Sequence, residues 1–580
     1  MNPASFVAKR RLSTIVLVVA IVSTGAALRL HELRKSTIGH IEIYVPGIDL
    51  PYALSDPRPR HSIVSILSGA VAAEPHPPGY YLIMLGWTKL FGTGVAPLRL
   101  PSVLCGIGSI LLIYVLGVRE MGRSTALLAA MLLALNGHHL FWSQIAKMYA
   151  LAVFLGLLST LLLLSTTAAA GKRRGWLLSL YGAVTLAGLG TVVYFWPLFL
   201  THILWSLRGQ WTQRRTVPDV LQGQLLIFIL ASPLWAVAAY QSRRPSYISA
   251  DILSGLWHYL QFGFLLEPDA YAVPPASTSP VLTTLIGLAG ALLLLIGLRA
   301  RGVGRAPPAD SVSIPRPVTL VAAIVAAGAI VAFAVVARAV DPSRTPYIAA
   351  CAAIPLVLGG LDRVVRRRWS RVQQWGMALN RRLPGLSGAD DNSLIPLLAI
   401  LPAAMVALVS LITPIFVSSG VMLFAPYLTL VLSGGLVWLV RHERRAVTIA
   451  GVLLGIIIMG THALSAVQSK RRLRHPSDYQ GLAQRWQTRI HSSDLIFTHR
   501  HWALTPIFYY LGAGQYHFVG GKYAEVAHQP TSERIWLLSA EGLPTPADMQ
   551  SALAHHKPCE TVEALRLRAT LYQRPTSPAQ

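Results

Sequence analysis

Five carboxylates fall in one stretch of the chain: Glu32, Glu42, Asp49, Asp56 and Glu74. They lie between the apolar run 12–30 and the next one, 77–92. A carboxylate held at a membrane surface by aromatic and proline neighbours can take a proton from a hydroxyl. Two segments offer that setting: His40-Ile41-Glu42-Ile43-Tyr44 before Val45-Pro46-Gly47, and Glu74-Pro75-His76-Pro77-Pro78-Gly79-Tyr80-Tyr81. The plainer reading of any one of these acids is a solvated loop side chain or a helix N-cap. Connections longer than about 15 residues are usually functional or disordered, which gives this one weight.

Two further segments supply cations. Ser143-Gln144-Ile145-Ala146-Lys147-Met148-Tyr149 sits where two apolar runs meet. On a helix Gln144 and Lys147 share a face. Lys147 then either snorkels to the headgroups or turns inward to meet a lipid phosphate. Asp341-Pro342-Ser343-Arg344-Thr345-Pro346-Tyr347 is a short loop that offers Arg344 for the same purpose. His138-His139 and His499-Arg500-His501 lack companion ligands at metal-site spacing. The first pair reads as interfacial polar residues and the second as surface of the tail. No metal or cofactor is expected from these residues, and a divalent metal stays open.

The elements that must position these groups are membrane helices. Of 580 residues 53% are hydrophobic and 13% charged, against roughly 25% charged in soluble proteins, and the mean hydropathy is +0.51. Apolar runs of about 17–25 residues, each long enough to cross a bilayer core, recur to residue 464. The net charge of +26 sits mostly in short Lys/Arg clusters between those runs, a topology signal rather than a nucleic-acid surface. Cys105, Cys351 and Cys559 imply no disulfide framework. The run 12–30 after Lys9-Arg10-Arg11 is longer than a signal-peptide core and reads as an uncleaved first helix.

With the N-terminus in the cytoplasm, the basic clusters orient the rest. Residues 77–92 are read as a re-entrant or interfacial helix opened by Pro77-Pro78. Spans follow at 98–118, 124–141, 147–167, 176–190, 191–205 and 221–240, with a break near Gly188–Gly190. After an outer loop 241–279 come 280–298, 317–338, 346–362, 394–417, 421–440 and 446–464. Arg119 and Arg123, Lys172-Arg173-Arg174, Arg208, Arg214 and Arg215, and the later clusters all become cytoplasmic. The expected fold is an all-α polytopic membrane domain over 1–464. It has about thirteen transmembrane helices and a long first outer loop, 31–97, with juxtamembrane helices. A small α/β domain over 470–580 lies outside. Its helices are placed at Ser477–Ile490 and Thr545–His556 and its strands at Leu495–Thr498, His517–Val519, Arg534–Leu538 and Leu565–Tyr572.

The order of these segments resembles the GT-C superfamily of polytopic glycosyltransferases, in the branch of the protein O-mannosyltransferases and the lipid A aminoarabinose transferases. The resemblance rests on an outer loop with an acidic motif, then His76-Pro77-Pro78-Gly79-Tyr80-Tyr81, Phe91-Gly92, Arg99-Leu100-Pro101-Ser102 and Ser143 through Tyr149. It is strongest over 40–160. Pro476-Ser477-Asp478-Tyr479 through Ser493-Asp494-Leu495-Ile496 resembles the start of the outer domain in bacterial members.

The resemblance implies a polyprenyl-phosphate sugar donor, a loop carboxylate that activates the acceptor hydroxyl, attack on the anomeric carbon with inversion, and basic residues that hold the departing lipid phosphate. Glu42 matches the second acid of the family's D-E pair, and Glu74 an acid that precedes H-P-P. His76, Tyr80, Tyr81, Gln144, Lys147 and Tyr149 carry the motifs assigned to substrate and lipid phosphate, and Arg344 and Tyr347 match a later R-Y pair. Three positions depart: Ile41 stands for the first acid, Ile145 for a Glu, and Lys147 for an Arg with bidentate geometry. The expectation is a membrane glycosyltransferase in a bacterial inner membrane, with Glu42 or Glu74 as base. Its partners are membrane lipid and an unidentified protein, lipid or polysaccharide acceptor, with no nucleic acid. The rival expectations are a non-catalytic lipid-carrier-binding or scaffold protein and a transporter or flippase.

Overall fold

The structure is a computed structural model that describes residues 3–34, 37–39, 41–48, 62–67, 76–211, 218–234, 256, 259, 280–299, 394–411, 417–473, 478–498, 506–512, 517–520, 523–541 and 545–575. The membrane half contains α1 (Pro3–Leu30), α2 (Ile63–Leu67), α3 (Gly79–Phe91), α4 (Val95–Met121), α5 (Arg123–Leu135), α6 (Gly137–Ser143), α7 (Tyr149–Ala168), α8 (Gly171–Leu189), α9 (Phe195–Trp211) and α10 (Pro218–Ala231). It continues with α11 (Pro280–Arg299), α12 (Leu394–Ser410), α13 (Ser418–Val421), α14 (Ala425–Val440) and α15 (Arg445–Leu473).

Among the described residues five helices are long and apolar enough to cross a membrane, six if α5 and α6 form one bent span. The expected spans at 317–338 and 346–362 lie outside the described residues. The pattern of burial is that of a protein in lipid. On α4, Leu104 and Leu111 are exposed, while Arg99, Ser102 and Ser109 face inward. Polar groups turned in and leucines turned out are what a hydrocarbon solvent selects. The chain is a multi-pass membrane protein. Among the spans of the described residues, Ser419–Val440, which includes α14, is the most enclosed, with 72% of its apolar window buried, whereas those of α1 and α15 are each 17% buried.

Polar side chains join the helices across this interior. Thr160 Oγ1 of α7 lies 2.7 Å from Tyr427 Oη of α14 and 3.1 Å from His202 Nε2 of α9. The chain continues through Tyr181 Oη, 3.3 Å from His202 Nδ1, to Gln224, whose Nε2 donates to Tyr181 Oη and Ser206 Oγ. Such bonds hold helices together where water offers no competing partner.

Two breaks shape the end of the bundle where α1 finishes. The run expected at 124–141 is not one straight helix: α5 and α6 meet at Asn136 with a bend of 60°. Asn136 Oδ1 accepts from the His139 N–H at 2.9 Å and so caps α6. Gly137 permits the approach of α15, since a Cβ there would lie 2.2 Å from Ser465 Oγ. The second break follows α8 at Gly190, where the glycines at 188 and 190 suggest one. There the Gly190 carbonyl accepts from the Gly79 N–H at 2.6 Å, which fastens the start of α3. Thirteen residues rise only about 20 Å, so α3 is too short to cross a core of about 30 Å.

The helix expected to end at 464 continues as α15 to Leu473. Ser465 and Ser469, just past the expected end, are buried. Beyond it, a C-terminal domain is built from α16 (Tyr479–Trp486), β1 (Leu495–Thr498), α17 (Pro506–Leu511), β2 (His517–Val519), α18 (Tyr523–Ala527), β3 (Arg534–Ala540), α19 (Ala547–Leu553), β4 (Lys557–Ala564) and β5 (Leu567–Gln573). The strand order is β2-β1-β3-β5-β4, parallel across β2, β1 and β3 and antiparallel from β3 to β5 and β4. Apolar clusters cover both faces, one around Trp486 and Trp536, the other around Phe497 and Tyr523. Strand β4 is not among the expected strands because it is a mostly exposed edge whose residues alternate too weakly to stand out.

Replacing Gly79 by Ala would place a Cβ 2.5 Å from the Gly190 carbonyl oxygen. Because that contact is with backbone, Gly79→Ala is expected to destabilise the protein by about 1–3 kcal/mol. Thermal unfolding in detergent checks this; an unchanged melting temperature would contradict the contact.

Candidate functional site

Glu42 stands on a tight series of turns. Glu42 N donates to Gly39 O, Val45 N to Glu42 O and Ile48 N to Val45 O, while Ile43, Val45 and Ile48 are buried as anchors. Gly47 adopts φ +97°, and a Cβ there would lie 2.3 Å from Thr88 Oγ1. A glycine is therefore required both by conformation and by space. Thr88 in turn donates to Pro46 O at 2.9 Å, which rivets the turn to α3.

Arg99 enters from the start of α4. Its Nε donates to Glu42 Oε1 at 2.8 Å and its Nη2 to Oε2 at 2.6 Å. Both side chains are about 2–3% exposed. Nη1 donates to Leu33 O at 2.9 Å and Nη2 to Thr37 O at 3.0 Å. The carboxylate also accepts from Ala146 N at 2.9 Å and Gly39 N at 3.2 Å. Burial alone pushes the Glu42 carboxyl up. The Arg99 charge, its hydrogen bonds and the two backbone N–H groups outweigh burial and hold it below the usual carboxylate range. A carboxylate with four donors already aimed at it is a weak proton acceptor and a strong fastening.

The Ala146 contact brings in the second motif. The expected helical face shared by Gln144 and Lys147 does not form: α6 ends at Ser143, and 144–148 is an irregular turn. The bend at Asn136 turns α6 away from the axis of α5, and this turn joins α6 to α7. Gln144 Nε2 donates to Arg29 O at 2.7 Å and His31 O at 3.3 Å, at the last turn of α1. Gln144 Oε1 accepts from Lys470 Nζ at 2.8 Å. Lys147 is almost fully buried, and its carbonyl accepts from Ser102 Oγ at 3.2 Å. Tyr149 opens α7, with its ring edge-on to His76 at 6.0 Å and against Trp142 at 4.5 Å.

Thus Glu42, Gln144 and Lys147 lie at the same end of the bundle, joined through Ala146, and His76 meets Tyr149. Tyr80 and Tyr81 are buried in the first turn of α3. Glu74, Arg344 and Tyr347 lie outside the described residues, as do His40, Asp49 and Asp56. Among the described residues no group of three potential metal ligands occurs. A cavity of about 580 Å³ opens between the end of α1, the end of α3 and the start of α4, walled by Leu33, Trp87, Phe91 and Leu100 with Glu32 and Arg34 as its charged lining.

Sequence reasoning assigned no role to two arginines that the structure places centrally. Arg99 was visible within Arg99-Leu100-Pro101-Ser102; its signal is a lone cation near the start of an apolar run. Arg29 is fully buried in α1. Its Nη1 donates to Gly25 O at 3.0 Å and Ala134 O at 3.2 Å, and its Nη2 to Leu133 O at 3.4 Å. Nη2 also meets His139 Nδ1 at 2.8 Å. Since arginine can only donate, Nδ1 accepts, and the imidazole is the neutral Nε2–H tautomer. The His138-His139 pair, expected as interfacial polar residues, is turned into the protein interior. The bend swings α6 inward, and both rings are buried.

Against this geometry the comparisons can be set. Residues 75–237 match the model of the dolichyl-phosphate-mannose-protein mannosyltransferase family. A comparison with curated protein sequences finds no match. Among solved structures, the chain is similar to ArnT from Cupriavidus metallidurans in the apo state, at 14% identity and a TM-score of 0.44 over 96% of this chain and 98% of that one. The same protein bound to undecaprenyl phosphate gives 14% and 0.41 over 96% and 97%. The apo Archaeoglobus fulgidus oligosaccharyltransferase gives 11% and 0.48 over 91% and 69%.

The residues matched by that family model include Arg99 but not Glu42, so the ion pair ties the matched region to the turn before it. Glu42→Gln and Arg99→Met each leave a buried partner unpaired and are expected to destabilise by about 3–5 kcal/mol, whereas Glu42→Leu with Arg99→Met regains part of the loss. A double-mutant cycle on detergent unfolding checks it. The sign with pH follows from the lowered carboxyl: the pair's contribution is complete above the unfolded value of about 4.3 and is lost as pH falls through the folded value below it. Acid unfolding should therefore be steeper for the wild type than for the doubly apolar variant.

Proposed function

We propose that this protein transfers a sugar from a polyprenyl-phosphate donor to an acceptor hydroxyl, with inversion, at the outer face of a bacterial inner membrane. The observation that carries the reading is the junction of Glu42, Arg99 and the Ala146–Lys147 turn at one end of the bundle. There a carrier lipid's chain can stay in hydrocarbon while its phosphate reaches basic side chains. The family match over 75–237 supports the same chemistry. In this topology the N-terminus is cytoplasmic, about thirteen helices span the membrane, the membrane domain covers 1–464, and the domain at 470–580 lies outside.

In the reaction a carboxylate takes the acceptor's proton, and the oxygen bonds to the anomeric carbon from the face opposite the phosphate. As that bond forms, the carbon–oxygen bond to phosphate breaks, and the polyprenyl phosphate leaves with both bonding electrons. Lys147, with Arg344 and Tyr347 from the second half, neutralises that phosphate as its charge grows. Gln144, Tyr149, His76, Tyr80 and Tyr81 shape the pocket for the donor. Glu42 is occupied by Arg99, so the base role passes to Glu74, two residues before His76 in the sequence, and Glu42 fixes the pocket.

A second reading has one observation in its favour: Ile41 stands where the family places its first acid, and its neighbour Glu42 is locked. In that reading the chain binds a lipid carrier, or scaffolds polysaccharide assembly, without turnover.

The test incubates the purified full chain in detergent with labelled polyprenyl-phosphate sugars. Release of sugar is expected, with Glu74→Gln lowering the rate by at least about 10²-fold and Lys147→Met weakening it while leaving the fold intact. Undiminished transfer by Glu74→Gln would remove the base assignment. Absence of turnover with every donor would favour the carrier-binding reading.

A further inference from the structure

We infer that the C-terminal domain is a working part of the transfer site, with Tyr509 and Tyr510 as positioning residues for the Glu42–Arg99 pair. The inference rests on the transfer reading above for its activity readout, but its geometry stands on the structure alone. Helix α17 has two apolar faces. Ile507, Phe508 and Leu511 are buried in the core of the C-terminal domain, while Tyr509 and Tyr510 pack against the core of the membrane half.

Each tyrosine hydroxyl binds the backbone of a different loop. Tyr510 Oη accepts from the Ile38 N–H at 2.7 Å, and Tyr509 Oη donates to Thr93 O at 2.7 Å. The two rings stand edge-to-face at 4.9 Å and 90°, so neither moves without the other. Ile38 is buried and directly precedes Gly39, whose N–H donates to Glu42 Oε2. Thr93 lies in the short connection from which α4 starts and carries Arg99. One tyrosine thus holds the loop of the acid, and its neighbour holds the loop of the cation. Burial raises both phenols, Tyr510 to about 12, so both act as neutral hydroxyls.

A third tie comes from the helix that leads into the domain. Lys470 Nζ donates to His31 O and to Gln144 Oε1, both at 2.8 Å. The Gln144 amide in turn holds the last carbonyls of α1. The domain is therefore referenced to all three segments that make the site: the end of α1 with its following loop, the start of α4, and the turn before α7.

The test uses the full chain with Tyr509→Phe, Tyr510→Phe and the double variant, which keep the rings and remove only the hydroxyls. Three quantities are read: hydrogen exchange over 37–48 and 92–94, tryptophan-detected melting of the C-terminal domain, and the split of transfer between kcat and KM. A buried amide that loses its acceptor is expected to speed exchange at Ile38 and Gly39 and to lower kcat, each by about tenfold. Donor KM and domain melting should stay close to wild type. Wild-type exchange and kcat in the double variant overturn the inference, as does lowered melting without a local change in exchange. If wild type turns over no donor, the transfer reading fails by itself and the exchange result still decides the positioning role.

Discussion

A carboxylate and a guanidinium out of contact with water must be paired, because leaving either one alone costs far more than their attraction returns. That requirement organises this end of the protein. Glu42 and Arg99 stand 57 residues apart in the sequence, and the geometry that satisfies both also fixes Leu33 O, Thr37 O, Gly39 N and Ala146 N. Three separate pieces of chain acquire one register from one ion pair. The pair is also why α3 and its preceding turn lie where they do: the turn that presents Glu42 is pinned to Thr88 on α3, and α3 is pinned to Gly190.

The same economy governs the interior of the bundle. Irregular backbone at membrane depth is tolerated only where protein groups supply the missing hydrogen bonds. At Asn136 the freed carbonyls of α5 are taken up by Arg29, and the freed N–H groups of α6 by Asn136 itself and by Ser465 Oγ, which accepts from Gly137 N. The bend thus presents the turn at 144–148 to Glu42.

Much of this architecture is legible in the chain because hydrophobic length and charge clusters act locally. The limits of α7, the break near Gly188–Gly190 and four of the five strands follow from short-range patterns. The site was legible as an ordered set of motifs, not as a geometry. Arg29 and Arg99 were passed over since their partners are carbonyls and a carboxylate from distant segments, which no spacing rule reports. Gln144 and Lys147 were placed on one helical face because periodicity cannot see that a bent neighbour ends the helix at Ser143. The span expected at 446–464 stops short of the end of α15 because hydrophobicity cannot report that Gly137 of another helix packs against Ser465.

Arg29 carries a consequence for biogenesis. It lies in α1, which is synthesised ahead of α5 and α6, yet the carbonyl of Ala134 and the imidazole of His139 that satisfy it follow 105 and 110 residues later. Until those arrive, α1 presents a cation to the lipid, a burden of about 2.5–3.5 kcal/mol at the middle of a bilayer and less near its edge. Arg29 gains these partners only once α5 and α6 have entered. Completion of the bend is therefore the step that takes this cation out of reach of lipid and water.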